Sequence, residues 1–135
     1  MTDILDFSTV DEPVELQITS PIDGKPLNGS RVWLYGPDTK QYRTAQSKLS
    51  KRARATMMKG GKRALLEDDD ESSGITVIAH CVARWEGLTL EGEQLEPSPE
   101  NAARLFGHPK ATWLREQVAE FLQDRVNFLP KSETS

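Results

Sequence analysis

The amino-acid sequence predicts an α+β fold, mostly helical: an N-terminal antiparallel β-hairpin followed by about four α-helices, in a single domain over residues 1–135. Three observations carry this expectation. Apolar and polar residues alternate from Val14 to Thr19, so that Val14, Leu16 and Ile18 share one face of a strand. The turn dipeptides Asp23-Gly24 and Asn28-Gly29 then separate that run from a second β-rich run, Arg31 to Tyr35. From residue 39 onward, apolar residues recur at three- and four-residue steps, the period of a helix that buries one face.

Each helix has its own start and stop. Gly36-Pro37-Asp38 ends the second strand, and Asp38 is a good N-cap for a helix from about Thr39 to Lys59, with Tyr42, Ala45, Leu49, Ala53 and Met57 at helical spacing. Gly60-Gly61 stops it. Ser73 caps a second helix on which Ile75, Ile78, Ala79, Val82 and Trp85 repeat, with Val77 and Cys81 as a second apolar stripe; a helix apolar on most sides is central. After a turn-rich connection, Ser98-Pro99-Glu100 opens a third: a capping serine, proline at the first helical position, and an acid at the positive end. Gly107 closes it. Leu114, Val118, Phe121, Leu122 and Arg125 lie on one side of a last helix that Pro130 terminates. Residues 1–12 and 131–135 are expected to fray, and residues 60–72 to form a flexible charged loop.

Composition narrows the functions. At 28% charged and a mean hydropathy of −0.57, the chain is that of a soluble protein. Its longest uncharged apolar stretch, Ser72 to Ala83, falls far short of the ~20 residues that cross a bilayer, and Met1-Thr2-Asp3 opens acidic, unlike a signal peptide. The expectation is a cytoplasmic protein with no membrane contact. The single cysteine, Cys81, excludes an internal disulfide framework and a thiolate-based structural zinc site.

The chemistry-bearing residues do not assemble into a site. His80 and Cys81 are the ingredients of a cysteine nucleophile, but neighbouring helical side chains point about 100° apart, so the two diverge. Asp68-Asp69-Asp70 lacks the alternating ligands and glycine of a calcium loop, and Gly60-Gly61-Lys62-Arg63 lacks the upstream glycine and the hydroxyl residue of a nucleotide loop. The expectation is a protein without catalysis, metal or cofactor.

Charge is the stronger signal. The net charge is −4, yet residues 41–66 hold eight cations and no acid: Arg43, Lys48, Lys51, Arg52, Arg54, Lys59, Lys62 and Arg63. An acidic run, Glu67 to Glu71, follows. A cationic stretch suits a phosphate backbone, but no series of stacking aromatics accompanies it and the acidic run cancels much of its field, which weighs against nucleic acid. An acidic or amphipathic protein partner fits better, with Lys48, Lys51, Arg52 and Arg54 as its contacts. Trp85, Trp113, Phe121 and Phe128 read first as core. Four helices of modest length do not bury every apolar stripe, however, so these four also stand as candidates for a groove that receives a partner helix.

The order of short motifs resembles that of a known family. Ser20-Pro21-Ile22-Asp23-Gly24-Lys25-Pro26-Leu27, then Gly36-Pro37-Asp38 followed by Tyr42-Arg43, then Ala83-Arg84-Trp85-Glu86-Gly87-Leu88, Ser98-Pro99-Glu100-Asn101-Ala102, and Trp113-Leu114 through Asn127-Phe128-Leu129-Pro130 together resemble the tail assembly chaperones of long-tailed bacteriophages, over residues 14–130. The ordered set carries the likeness, since no single motif is specific. The resemblance implies a non-catalytic chaperone that coats the tape-measure protein, a long helical chain prone to aggregate, until tail-tube subunits replace it. It further implies a protein of the host cytoplasm, absent from the mature virion, with tail-tube protein recruited through a longer, frameshifted form; the ending after Leu129-Pro130-Lys131 resembles the short form. The charge reversal between residues 63 and 67 suits head-to-tail contacts in a homo-oligomer. The competing expectation is a small nucleic-acid-binding or packaging-associated phage protein that uses the basic segment 48–63.

Overall fold

The computed structural model describes residues 1–66 and 70–130. After a 3₁₀ turn at Ile4–Phe7, its first strand is the expected one, β1, Val14–Thr19. It pairs antiparallel with β2, Pro26–Leu34, with Leu16 opposite Val32 and Gln17 opposite Arg31. The reversal occupies residues 20–25, where the Ser20 carbonyl accepts from the Lys25-side turn residue Gly24 at 2.9 Å and Asp23 Oδ1 accepts from the Lys25 amide at 3.0 Å. Asn28-Gly29 therefore lies inside β2 rather than in the turn, and β2 begins five residues earlier than its β-rich core at Arg31 suggests. The Gln17 side-chain amide, donating to the carbonyls of Leu27 and Ser30 at 2.8 and 3.0 Å, bridges this glycine-containing stretch.

A third strand, β3, Val82–Glu86, completes the sheet in the order β1-β2-β3. Its residues were expected to continue a helix, because Val82 and Trp85 extend the apolar repeat of the segment before them. The helix instead ends at Cys81, and the Cys81 carbonyl accepts from the Tyr35 amide at 2.7 Å. Strand pairing wins here because it places Trp85 opposite Val32 and satisfies the far edge of β2. A bulge between Trp33 and Leu34 accommodates the change of direction. Two glycines make close approaches possible. Gly87, at φ 66°, passes against the Gly29 backbone where a Cβ would clash, and a Cβ on Gly36 would enter the Phe128 ring.

One face of the sheet is core: Ile18, Val32 and Leu34 are fully buried, and Trp85 nearly so. The other face is polar. Arg31 and Glu15 pair across the strands at 3.1 Å, and the Arg84 guanidinium lies 4.0 Å above the Trp33 ring.

Helix α1, Lys40–Leu66, is capped by Thr39 and not by Asp38. The buried Thr39 hydroxyl accepts from the Tyr42 amide at 3.2 Å and donates to the Gly36 carbonyl at 2.7 Å. Asp38 sits at φ 72° and gives its carboxylate to Arg125 at 2.5 Å. The glycine stop is displaced: helix resumes after a single non-helical residue, Gly61, at φ 69° and ψ −161°. Helix α2, Asp70–Cys81, begins before the expected Ser73 cap. The charged loop expected over 60–72 is thus helical at 60 and 62–66 and again at 70–72, while residues 67–69 lie outside the described residues.

Helix α3, Pro99–Phe106, starts as the sequence dictates, with Ser98 Oγ accepting from the Asn101 amide at 3.0 Å. Helix α4, Thr112–Gln123, stops well before Pro130, because Asp124 turns the chain into a 3₁₀ turn at Arg125–Phe128 and caps it through the Val126 amide at 3.2 Å. Arg125 is accordingly off the helix. The turn drives Phe128 under Gly36, where it meets Phe121 edge-to-face at 5.2 Å.

The core lies between the inner sheet face and helices α2, α3 and α4. Trp85 and Phe106 meet edge-to-face at 6.0 Å at its centre. Two polar side chains tie the layers. Buried Arg115 donates to the Phe106 carbonyl at 2.7 Å, satisfying the end of α3, and Gln117 grips the Thr19 backbone in both directions, at 3.0 and 2.7 Å. Within residues 1–12, expected to fray, Ile4–Phe7 form a capped 3₁₀ turn, and buried Thr9 donates to the Pro37 carbonyl, with the Val10 amide donating to the Phe128 carbonyl at 2.8 Å. Residues 131–135, expected to fray, lie outside the described residues.

Candidate functional site

The cations predicted to meet a partner fall on α1. At 100° per residue, Tyr42, Ala45 and Leu49 face inward, while Lys51, Arg54 and Met58 fall within one narrow arc on the opposite side and Lys48 lies at its margin. Lys48, Lys51 and Arg54 are exposed, and Met58 is 87% exposed at the middle of the stripe. Arg52 is different. Its guanidinium donates to Ser72 Oγ at 3.0 Å and Ser73 Oγ at 2.7 Å, so it holds the start of α2 against α1 and is not a free partner contact. The outward face therefore sets three cations beside one thioether, a combination that meets acidic and apolar groups on one rod.

The four aromatics divide. Trp85, at 8% exposure, and Phe128, at 0%, are core residues, and their assignment to a partner surface is corrected. The helical spacing that suggested a presented face for Trp85 breaks at β3, and the 3₁₀ turn tucks Phe128 inward. Phe121 is half-buried against Phe128. Trp113 opens on a groove of about 650 Å³ also walled by Leu88, Leu90, Leu105 and Leu114, while Trp85 and Phe121 edge smaller hollows of about 370 and 310 Å³. The rim of the Trp113 groove carries Lys110 and His108, with Glu91 3.8 Å from the His108 ring. Leu88 and Leu90 were missed because they sit in an irregular connection. Their alternation about Thr89 was the one available signal, too short to separate from a turn.

The groups that suggested chemistry are placed apart. Cys81 is fully buried, and burial pushes its thiol up to about 12, which keeps it protonated and unreactive. His80 donates from Nδ1 to the Thr76 carbonyl one turn back, at 2.9 Å. Hydrogen bonding to Arg125 holds the Asp38 carboxyl below its ordinary range, and that pair joins the α1 entrance to the turn after α4. Among the described residues, no three of His, Cys, Asp and Glu converge where a metal ion could sit, and no helix is long and apolar enough to cross a membrane. The acidic run was expected over residues 67–71; positions 67–69 lie outside the described residues.

Fold and surface together define a small α+β protein with a cationic helix face and a separate apolar groove. Compared with protein-family models, curated proteins and solved structures, the chain matches none.

Proposed function

We propose that this protein is a tail assembly chaperone of the long-tailed phage type, acting without a chemical step of its own. In this reading it binds the tape-measure protein in the host cytoplasm, keeps it soluble, and leaves before the virion is complete. Tail-tube protein joins through a longer, frameshifted form. The ordered motif set first suggests the family. The observation that carries the mechanism is the outward stripe of α1, where Lys51, Arg54 and Met58 stand side by side and exposed. A long amphipathic helix offers acidic flanks and apolar seams, and such a stripe engages both at once, the cations setting register and the thioether adapting to the seam. Because α1 is long and contributes little to the core, the same face can follow a rod over several turns.

The alternative, nucleic-acid binding through segment 48–63, draws on the same cations. A titration of the purified chain against tape-measure helical fragments and against duplex DNA separates the two. The chaperone reading expects fragment binding that weakens with Met58→Ser, which removes the thioether without adding charge. DNA binding with a steep salt slope, indifferent to Met58→Ser and abolished by Lys51→Glu with Arg54→Glu, contradicts it.

A further inference from the structure

We propose that the outer edge of β1 takes up an extended, cationic segment of a partner protein as an added strand, with an apolar side chain of that segment seated between β1 and α4. β1 lies at the edge of the sheet, and only β2 pairs with it. The Thr19 amide donates to Gln117 Oε1 at 3.0 Å, and the Thr19 carbonyl accepts from Gln117 Nε2 at 2.7 Å, so both backbone groups of Thr19 point away from β2 toward α4. Pairing direction alternates along an extended strand, so Glu15 and Gln17 turn their amides and carbonyls to the same outer side. Among the described residues nothing takes these groups up. The Gln117 carboxamide, donating and accepting at once, stands where the peptide group of a further strand would, and it fills the edge at Thr19 only.

The side chains define the occupant. Beside this edge a hollow of about 310 Å³ lies between β1 and α4, walled by the half-buried Leu16 and Phe121. An antiparallel strand bonded to Glu15 and Gln17 sets one residue opposite Leu16, and its side chain points to the same face as Leu16, into the hollow. The next side chains on that face, two residues to either side, run along the rim. That rim is acidic: Glu120 and Asp124 are exposed one helical turn apart, and no lysine, arginine or histidine lines the hollow. An apolar residue with lysine or arginine two positions away fits this surface, whereas an acid there is repelled.

Backbone chemistry restricts the partner further. A helix spends its amides and carbonyls internally and cannot pair with the edge, so the ligand is a strand-forming or unstructured segment, recognised by main-chain hydrogen bonds for affinity and by alternate side chains for specificity. So short an addition buries less than the ~1,200 Å² typical of stable interfaces, which makes the contact reversible. The edge shares no residue with the α1 stripe, and it stands or falls separately from the tape-measure reading.

Fluorescence polarisation with a dye-labelled, end-blocked peptide, Thr-Lys-Thr-Leu-Thr-Lys-Thr, tests the proposal. The purified wild type should bind it saturably. Binding should weaken at least ~10-fold when the two threonines beside leucine are N-methylated, which removes backbone donors and keeps every side chain, and again when both lysines are replaced by glutamate. On the protein, Glu15→Pro deletes an outward amide at an edge position that accepts proline, and Glu120→Lys reverses one charge of the rim; each should cost at least ~10-fold in affinity. Glu15→Gln loses the ion pair with Arg31 but keeps the amide, and should bind as the wild type does. Circular dichroism checks that the variants fold, and the N-methylated peptide with Glu120→Lys carries the test should Glu15→Pro not fold. Absence of saturable binding overturns the proposal, as does equal affinity for the N-methylated peptide or equal affinity of Glu120→Lys. Wild-type dimers that the peptide disperses would give the edge to a second copy and overturn its assignment to a cationic partner.

Discussion

Helices α1 and α4 are both amphipathic, yet they belong to different parts of the molecule. In its twelve residues α4 buries Leu114, Arg115, Val118 and Leu122, and it is locked to the sheet by Gln117 and to α3 by Arg115. Over 27 residues α1 buries only Ala45 among its described side chains, and its contribution to the core is Tyr42 at its first turn. The difference is one of apolar density per turn. A stripe of leucine, valine and phenylalanine draws a helix into the core, whereas alanines and single leucines between cations hold a helix loosely and leave its far side available. Stability is therefore concentrated around α4 and the sheet, and the exposed cationic face lies on α1.

The largest effect should appear where that division is deepest. Phe128→Ala removes a fully buried ring packed on Phe121 and should cost about 3–5 kcal/mol in denaturant unfolding. A loss under 1 kcal/mol would mean that the segment after α4 is not part of the core. Gly36→Ala forces a Cβ into the same ring and should cost about 1–3 kcal/mol. Most of that penalty should vanish in the Phe128→Ala background, since the clash partner is gone, and additive penalties would place the strain elsewhere.

A subtler effect concerns Cys81. Its folded-state ionisation lies at about 12, above the ordinary value of 9.0, so the protonated thiol favours the folded state. That contribution is complete below pH 9 and is lost between pH 9 and about 12, as the unfolded chain ionises first. Cys81→Ala should flatten this alkaline fall. At pH 8 the native thiol should resist a thiol reagent that labels the denatured chain at once, and rapid native labelling would show Cys81 to be accessible.

Much of this division is legible in the sequence, and what is not has local causes. The β1 alternation, the Ser98 cap and the Leu114–Val118–Leu122 stripe announce themselves because burial pattern and local propensity agree. β3 is hidden because Val82 and Trp85 fit a helical period as well as a strand's, and only long-range pairing with β2 decides between them. At the start of α1, Asp38 and Thr39 are both good caps; the choice depends on Arg125, distant in sequence, which takes up the aspartate. The cationic stretch is readable from the order of charges along residues 41–66, but Arg52's internal role depends on Ser72 and Ser73 folding back onto α1. Groove residues Leu88 and Leu90 alternate over too short a run to mark a strand, so only the tertiary structure brings them to Trp113.

The smallest expected change in stability accompanies the largest expected change in function. Lys51→Glu with Arg54→Glu and Met58→Glu alters exposed side chains alone and should shift folding stability by no more than about 0.5 kcal/mol per site. The decisive measurement is the soluble yield of a tape-measure protein co-expressed with this chain. The account predicts that the wild type keeps it soluble and that the triple variant, folded and equally abundant, leaves it in the pellet. A tape measure equally insoluble with either protein, or equally soluble with both, contradicts the claim that the outer face of α1 shelters a helical partner.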